Sequence, residues 1–554
     1  MRLLYKNKLF YLVMATYLLL ISACLKKLDT TAETSLTDDS FWKTSDDLKL
    51  GCNYLYGYLP NIKDNFSSEW TDDSYSNSTN SISEGSRSTP STSADWNSNY
   101  YCIRQSNNIL EKSVRVKDDQ KLINRYKGEA LFFRAWAYFR LIKRFGDVPL
   151  ILRTFDISDS LVMAHRISKE IILDNMYVSL DSAAAWLPKA SALPVAEYGR
   201  ITKSAALTLK ARMALFAGTF NKFHSQGNGA KHLNIAISAC NIVMSEGHTL
   251  FRYAAKPDSS YFYLFQLAGE GPSNKENILS YIYGVDMNNQ IISHDYSNQL
   301  NSGTGGRPTR ALADSYLYTD GLPSNKSTYY KPQTSTLTEF ENRDPRMVMT
   351  IFKTGALFLN SNSRLVLYSP TYQFSKTGYK SRKYYNAQAI SSFQFEDNIV
   401  FRYAEVLLIY AESKYELDGS ISDQDLDLSI NLIRARVGMP KLTNAFVTAN
   451  GLDMREQIRD EWRAEFAIEG EHRYWNLIRW KTAEIELPKA VYGIRYFANE
   501  FPIDLKPVLT SDSITVVQSV STRHFDPQKD YLWPIPSQEL GRNTNLYQNP
   551  GWTD

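Results

Sequence analysis

Residues Leu122 to Leu150, LINRYKGEALFFRAWAYFRLIKRFGDVPL, constrain the chain more than any other stretch. Apolar residues recur there at helical spacing, yet they cover more than one stripe. Ala130, Ala137 and Leu141 lie among Phe132, Phe133, Trp136 and Phe139. A helix that is apolar nearly all round is buried between others, so this one needs partners on several sides. The rest of the sequence supplies them. Helical segments are expected over Ser45 to Leu59, Asn99 to Val114, Ser168 to Pro188, Thr202 to Gly218 and Ala230 to Gly247. Three more follow a long gap: Ile399 to Gly419, Ser422 to Pro440 and Leu452 to Ala483. Several open on a Ser or Thr cap and stop at Gly or Pro.

Small residues mark close approaches between these helices, at Ala130 and Ala137, Ala205 and Ala211, Ala404 and Ala411. The expected fold is mainly α: about four TPR-like helical hairpins, too irregularly spaced for a clean 34-residue array, with a mixed, loop-rich remainder. Two regions do not read as helix. Residues 61–98 are rich in Ser, Thr, Asn and Asp, and residues 284–398 alternate turn signals such as NSGTGGRP with Tyr-rich runs such as LVLYSPTYQF. Long loops in a compact body are usually functional or disordered, and ligand residues concentrate on loops held by a rigid scaffold. The expected organisation is a leader over 1–23, a helical region over 24–250, a loop-rich insertion with short strands over 251–398, and a helical region with an irregular tail over 399–554. Tyr531, Trp533, Tyr547 and Trp552 should pack that tail down.

The leader has a positive start, Arg2, Lys6 and Lys8, then 13 uncharged, largely apolar residues, Leu9 to Ile21. That suits an export signal and is short of the roughly 20 residues a spanning helix needs. Ile21-Ser22-Ala23-Cys24 resembles a bacterial lipobox, which makes Cys24 the expected lipidation site. Several acyl chains on one cysteine would hold the protein on its membrane, since each buried CH₂ contributes roughly 0.8 kcal/mol. Removing the leader's three basic residues from the 62 in the chain leaves as many basic as acidic residues, 59. A neutral body offers no basic face for nucleic acid. Beyond Cys24, Cys52, Cys102 and Cys240 remain. Cys52 and Cys102 could pair if their helices are neighbours, but three buried free thiols are the expectation.

Motifs for catalysis are missing from the sequence. EGEH (Glu469 to His472) has no second histidine at the spacing of a zinc protease, GTGG (Gly303 to Gly306) has no following Lys-Ser or Lys-Thr, and no G-x-S-x-G elbow occurs. No metal or cofactor is expected. The chemically densest stretch, EGEHRYWNLIRW, places Arg473, Arg479, Trp475 and Trp480 near Glu461, Glu465 and Arg463. It could form a ligand patch, but a buried network locking the last long helix onto the scaffold is expected instead.

Seven segments in order resemble one family, the SusD/RagB lipoproteins of the Bacteroidota outer membrane. They are Leu28-Asp29 after the lipobox, GEALFFRAWAYFRLIKRFGDVPLI, RITKSAALTLKARMALFAG, NRDPRM, FRYAEVLLIYAES, EFAIEGEHRYWNLIRW and LWPIPSQEL…NTNLYQNPGW. The resemblance spans nearly the whole chain. It implies four TPR-like hairpins with a loop-rich ligand surface, a lipid-anchored and surface-exposed place on the outer membrane, and a SusC-like TonB-dependent transporter as partner. The bound nutrient is usually a glycan, sometimes a peptide. Lys26 and Lys27 stand where an acidic run favours surface display.

Glycan recognition needs rings to stack on sugars and amides or carboxylates to bond the hydroxyls. EWTDDSYSNSTN supplies Trp70, Asp72, Asp73, Tyr75, Asn77 and Asn80 within eleven residues. The resemblance implies that this segment lines the site and that TDD is its acidic element. Ser76 and Ser78 stand where starch-binding members carry tryptophans, so the ligand stays open. Tyr283, Asp286 and Tyr296 are further candidates of the same type, whereas Trp96 should pack inside the second helix. The expected function is non-catalytic capture of an oligosaccharide for the transporter. Its rivals are a peptide-capturing member of the same fold, an anchored glycoside hydrolase, and a structural adaptor without a ligand cleft.

Overall fold

The computed structural model describes residues 38–285, 291–303, 305–359, 364–386, 393–501 and 506–553. The leader, Cys24 and Asp286 lie outside them.

Ten helices carry the architecture: α1 (Ser45–Leu55), α2 (Ala94–Lys112), α3 (Gln120–Phe145), α4 (Lys169–Trp186), α5 (Lys203–Phe223), α6 (Gly229–Met244), α7 (Tyr403–Asp418), α8 (Ile430–Arg436), α9 (Met454–Glu465) and α10 (His472–Arg479). The α3 helix meets the requirement of its sequence: α1, α2 and α4 pack around it, and Ala130, Phe132, Phe133, Tyr138 and Leu141 are fully buried. From α2 to α6 each helix packs on the next as a TPR-like hairpin, and α7 closes on α6 although about 160 residues of sequence separate them. One hydrophobic core therefore joins residues from both ends of the chain, from Trp42 to Ile535. The loop-rich middle has cores of its own, one around Tyr261, Phe352, Tyr384 and Tyr385 and one around Leu312, Met347 and Ile468.

Gly218 does not stop α5; it lies inside it. A Cβ there would sit 2.8 Å from the Leu233 side chain and 3.1 Å from the Gly229 carbonyl, so this glycine serves the close crossing of α5 and α6. The segment expected as one helix over Ile399 to Gly419 begins as a strand, Asn398–Arg402, before α7. That strand pairs antiparallel with Asn277–Tyr281, which ties the middle of the chain to the scaffold. Ser422 to Pro440 is interrupted at Ser429, whose backbone leaves the helical region (φ −136°, ψ −96°).

The long helix expected over Leu452 to Ala483 is broken as well. It stops after Glu465 and restarts at His472, with Ile468 and Gly470 both at φ 60°. A β-branched residue with positive φ is a steric outlier, and Ile468 is held there by burial against the second of the middle cores. Helical periodicity continues through the apolar residues of this bend, so the pattern hides it. Cys52, Cys102 and Cys240 are free and buried. The possible Cys52–Cys102 bridge is corrected accordingly: their thiols donate instead to carbonyls of α3, at Tyr126 and Phe133.

Candidate functional site

The bend between α9 and α10 organises the charged interior. Glu465 accepts from Arg346, Arg402 and Arg436, Glu461 from Arg346 and Arg434, and Glu469 from Arg402 and Lys383. Arg346 also holds Asp344 at 2.7 Å, and Glu276 takes Arg402 and Arg436 at 3.2 and 3.0 Å. Five cations thus meet five carboxylates, all buried. Across the bend, Arg479 grips Glu412 of α7 at 2.7 Å with Trp480 donating to the same carboxylate. Lys143 and Arg144 of α3 converge on Glu471. EGEHRYWNLIRW is a lock rather than a ligand patch, because its cations and carboxylates are spent on charged partners from other segments of the chain.

The TDD element belongs to that lock. Arg463 of α9 donates to Asp73 at 2.7 Å and to Asp72 at 2.8 Å, and Arg473 of α10 takes Asp72 at 3.0 and 2.9 Å. Burial alone would raise the Asp72 carboxyl, but Arg463 and Arg473 outweigh it and hold it well below the usual carboxylate range. The backbone here is committed too. Ser74–Tyr75 pairs antiparallel with Arg307–Pro308, and Thr309 N–H donates to the Asp73 carbonyl at 3.0 Å.

The remaining sequence candidates do not share one site. Trp70 is half-buried, edge-on to Tyr474 and Trp533 with centroids 5.7 and 5.6 Å away. Tyr75 is 5% exposed. Tyr283 accepts the Ile62 N–H at 3.2 Å and meets His294 edge-on, and Tyr296 lies stacked on Phe66 at 4.9 Å, fully buried. Asn80 closes a turn with Ile82 N–H. Asn77 reaches across to a cavity wall: its amide donates to the carbonyls of Gly303 and Phe374 at 3.0 and 3.4 Å, and its oxygen accepts from Lys376 N–H. Trp96 packs on Phe145 inside α2 as expected.

The wall that Asn77 braces encloses a cavity of about 310 Å³, at the small end of ligand sites at roughly 300–1,000 Å³. Its lining includes Phe358, Tyr368, Phe374 and Tyr379, with Asn301, Ser369, Thr371, Gln373 and Ser375 among the polar groups. A hairpin, Leu357–Leu359 with Leu365–Leu367, forms one side and exposes Leu357, Leu365 and Leu367. Two other cavities, about 340 and 420 Å³, lie against the C-terminal tail, the larger of them also lined by Trp96 and Asn97. One of about 120 Å³ lies among the ion pairs of the scaffold. The cavity beside Asn77 is distinguished by what lines it. Lys380 is 8% exposed, and its ammonium rests 4.3 Å from the Phe358 ring centroid. Burial, and then Arg307, push that amine down to about 7. A cation–π contact contributes about 0.5–2 kcal/mol, whereas burying an ion costs several kcal/mol, so the ring does not offset the burial.

None of these cavity residues was singled out from sequence. LVLYSPTYQF marked the region by its tyrosines, and Lys380, in GYKSRKYY, lies just beyond it. The signal available was a lysine set among aromatics in a stretch with no acidic residue from Arg364 to Tyr385.

Residues 273–552 match the family model described as "SusD family", and residues 40–215 match one described as "Starch-binding associating with outer membrane". Two curated relatives come from Formosa agariphila. SusD-like protein P2 is 24% identical over 83% of this chain and 80% of its own length, and SusD-like protein P38 is 25% identical over 88% and 95%. Among solved structures, a SusD-like carbohydrate binding protein from Bacteroides fragilis superposes with a TM-score of 0.75 at 25% identity, covering 92% of this chain and all of that one. A laminarin binding SusD-like protein shares the fold with a TM-score of 0.58 at 20% identity, over 92% of this chain and all of its own. With half its length matched by one family model and the helical-hairpin fold shared throughout, this chain belongs to the SusD family.

Proposed function

We propose that this chain is a non-catalytic lipoprotein of the outer-membrane surface that binds an oligosaccharide and delivers it to a SusC-like TonB-dependent transporter. The observation that carries the glycan reading is the cavity beside Asn77, where aromatic rings and neutral hydrogen-bonding side chains share one wall. Aromatic side chains offer an apolar face for a sugar ring, and the amides and hydroxyls of Asn301, Ser369, Thr371 and Gln373 suit its hydroxyl groups. Family membership and the carbohydrate-binding relative from Bacteroides fragilis support the same reading. Glycoside cleavage uses two carboxylates about 5–9.5 Å apart, and no Asp or Glu stands among the described lining residues, which favours binding over hydrolysis. Anchoring through Cys24 and handover to a transporter rest on the leader sequence and the family resemblance.

The test is calorimetric titration of the purified chain with a panel of oligosaccharides and a peptide library. Saccharide binding that weakens on Tyr368→Ala or Gln373→Ala supports the reading. Peptide binding without saccharide binding would turn it to the peptide-capturing alternative. Cys24→Ala should move the protein out of the membrane fraction, and an affinity-tagged chain should co-purify an outer-membrane barrel.

A further inference from the structure

Three lysines are buried among the described residues, and two of them are paired: Lys143 with Glu471 at 2.6 Å and Lys383 with Glu469 at 2.8 Å. Lys380 is the third. Among the described residues its ammonium has neither a carboxylate nor a hydrogen-bond acceptor, and its contact is the Phe358 ring. Arg307, a second cation of the same cavity, is tied to main-chain carbonyls: Leu300 at 2.8 Å, Gly305 at 3.2 Å and Phe374 at 3.3 Å. Those carbonyls orient the guanidinium without neutralising it. Glu69 interacts with Arg307 from outside the lining, and burial pushes its own carboxyl up to about 7. The cavity therefore holds Lys380 against an aromatic ring with no carboxylate beside it among the described residues. A buried cation without an anion is costly unless something supplies one.

We propose that this cavity is an anion subsite, in which Lys380, with Arg307 beside it, receives the carboxylate or sulfate-ester group of an acidic saccharide. The proposal rests on the glycan-binding reading and narrows it from saccharides in general to charged ones. The anion would take the ammonium as its charge-assisted donor. The hydroxyls and amides of Ser369, Thr371 and Gln373 would bond the sugar that carries it, and the rings of Phe358 and Tyr368 would exclude water around the pair. A neutral sugar in the same place would leave the ammonium buried and unsatisfied.

The full chain, purified in detergent, is titrated calorimetrically with oligosaccharides of matched length that are neutral, uronate-bearing or sulfated. At least one acidic set should bind about tenfold tighter than the neutral set, the uronate and sulfate arms telling which anion is taken. Lys380→Met should cancel that preference, and Lys380→Arg should keep it. Equal affinity for neutral and acidic sets, or a preference that survives Lys380→Met, overturns the anion subsite and leaves the glycan reading standing. Binding of none of the three sets overturns both. If Lys380→Met does not fold, the lysine resonances of reductively ¹³C-methylated protein, assigned with Lys380→Arg, report directly. A Lys380 signal that moves on adding the acidic set supports the proposal, and one that stays put overturns it.

Discussion

Lys383 and Lys380 stand three residues apart on one stretch of chain and meet opposite surroundings. Lys383 turns into the lock below the α9–α10 bend, where Glu469 takes it at 2.8 Å and the Tyr261 hydroxyl and Glu465 carbonyl complete its bonds. Lys380 turns into the cavity, where a phenylalanine ring is what it meets. Burial lowers both amines, to about 8 and about 7. The lock holds the helical scaffold and the loop-rich middle together, since its carboxylates come from α9, the bend and the middle of the chain. A site for an outside group differs by lacking part of that balance. Paired buried charge reads as architecture, and unpaired buried charge reads as a place for a ligand.

The sharpest way to break this contrast is to unbalance the lock. Glu465→Gln leaves Arg346, Arg402 and Arg436 facing a neutral amide, and removing one partner of a buried pair costs about 3–5 kcal/mol. Urea unfolding should show a loss of that size, and a loss below about 1 kcal/mol would mean the arginines find other partners and the balance is not structural. Acid should act in the same direction. The carboxyls of Asp72 and Glu465 are held well below the usual range against the pull of burial by the arginines around them. A carboxyl depressed in the folded state gives stability that is full above its unfolded value, about 4, and is lost as pH falls toward the folded one. Glu465→Gln should blunt the fall of the urea midpoint that the wild type shows below about pH 4.

Trp70→Ala comes next in size. In sequence, Trp70 was a candidate to stack on a sugar, but it is wedged between Tyr474 and Trp533 with the Arg144 guanidinium 6.0 Å from its ring. Removing it should cost about 2–4 kcal/mol, below the full-burial figure because the ring is half-exposed. Saccharide affinity of the folded fraction should change little. Reduced affinity at unchanged stability would return the ligand to the TDD segment.

How far the sequence reaches differs between the same two regions. The helical scaffold is legible because amphipathic and all-apolar periodicities are local, so α2 to α6 lie close to where spacing puts them. The bend at Ile468 is not, since it is imposed by packing against Leu312 and Met347, residues more than a hundred positions away. The same distance effect misdirects the reading of Asp73. A carboxylate in a polar loop suits a sugar hydroxyl, and nothing within the loop announces that Arg463, 390 residues on, will bury it. Asn77 falls beside the cavity, but as its brace. The cavity itself forms between residues 301 and 380 by tertiary folding of short strands and turns, where no periodicity operates.

The smallest expected effect tests the contrast from its other side. If Lys380 is buried at a cost, removing its charge should stabilise the unliganded protein. Burial and Arg307 lower the Lys380 amine to about 7, against about 10.4 in an unfolded chain. The folded state therefore binds fewer protons than the unfolded state between those values, and stability rises with pH across that window. Below about pH 7 the full penalty is present; above about 10 it is gone. Tyr368 and Tyr379, which share the cavity, have phenols pushed up by burial, and so they do not titrate before the lysine. Lys380→Met should accordingly gain about 1–3 kcal/mol at pH 6, and the gain should shrink toward zero by pH 10. An acidic saccharide should narrow that difference, raising the melting temperature of the wild type more than that of Lys380→Met, because a bound anion removes for the wild type the penalty that the substitution has already removed.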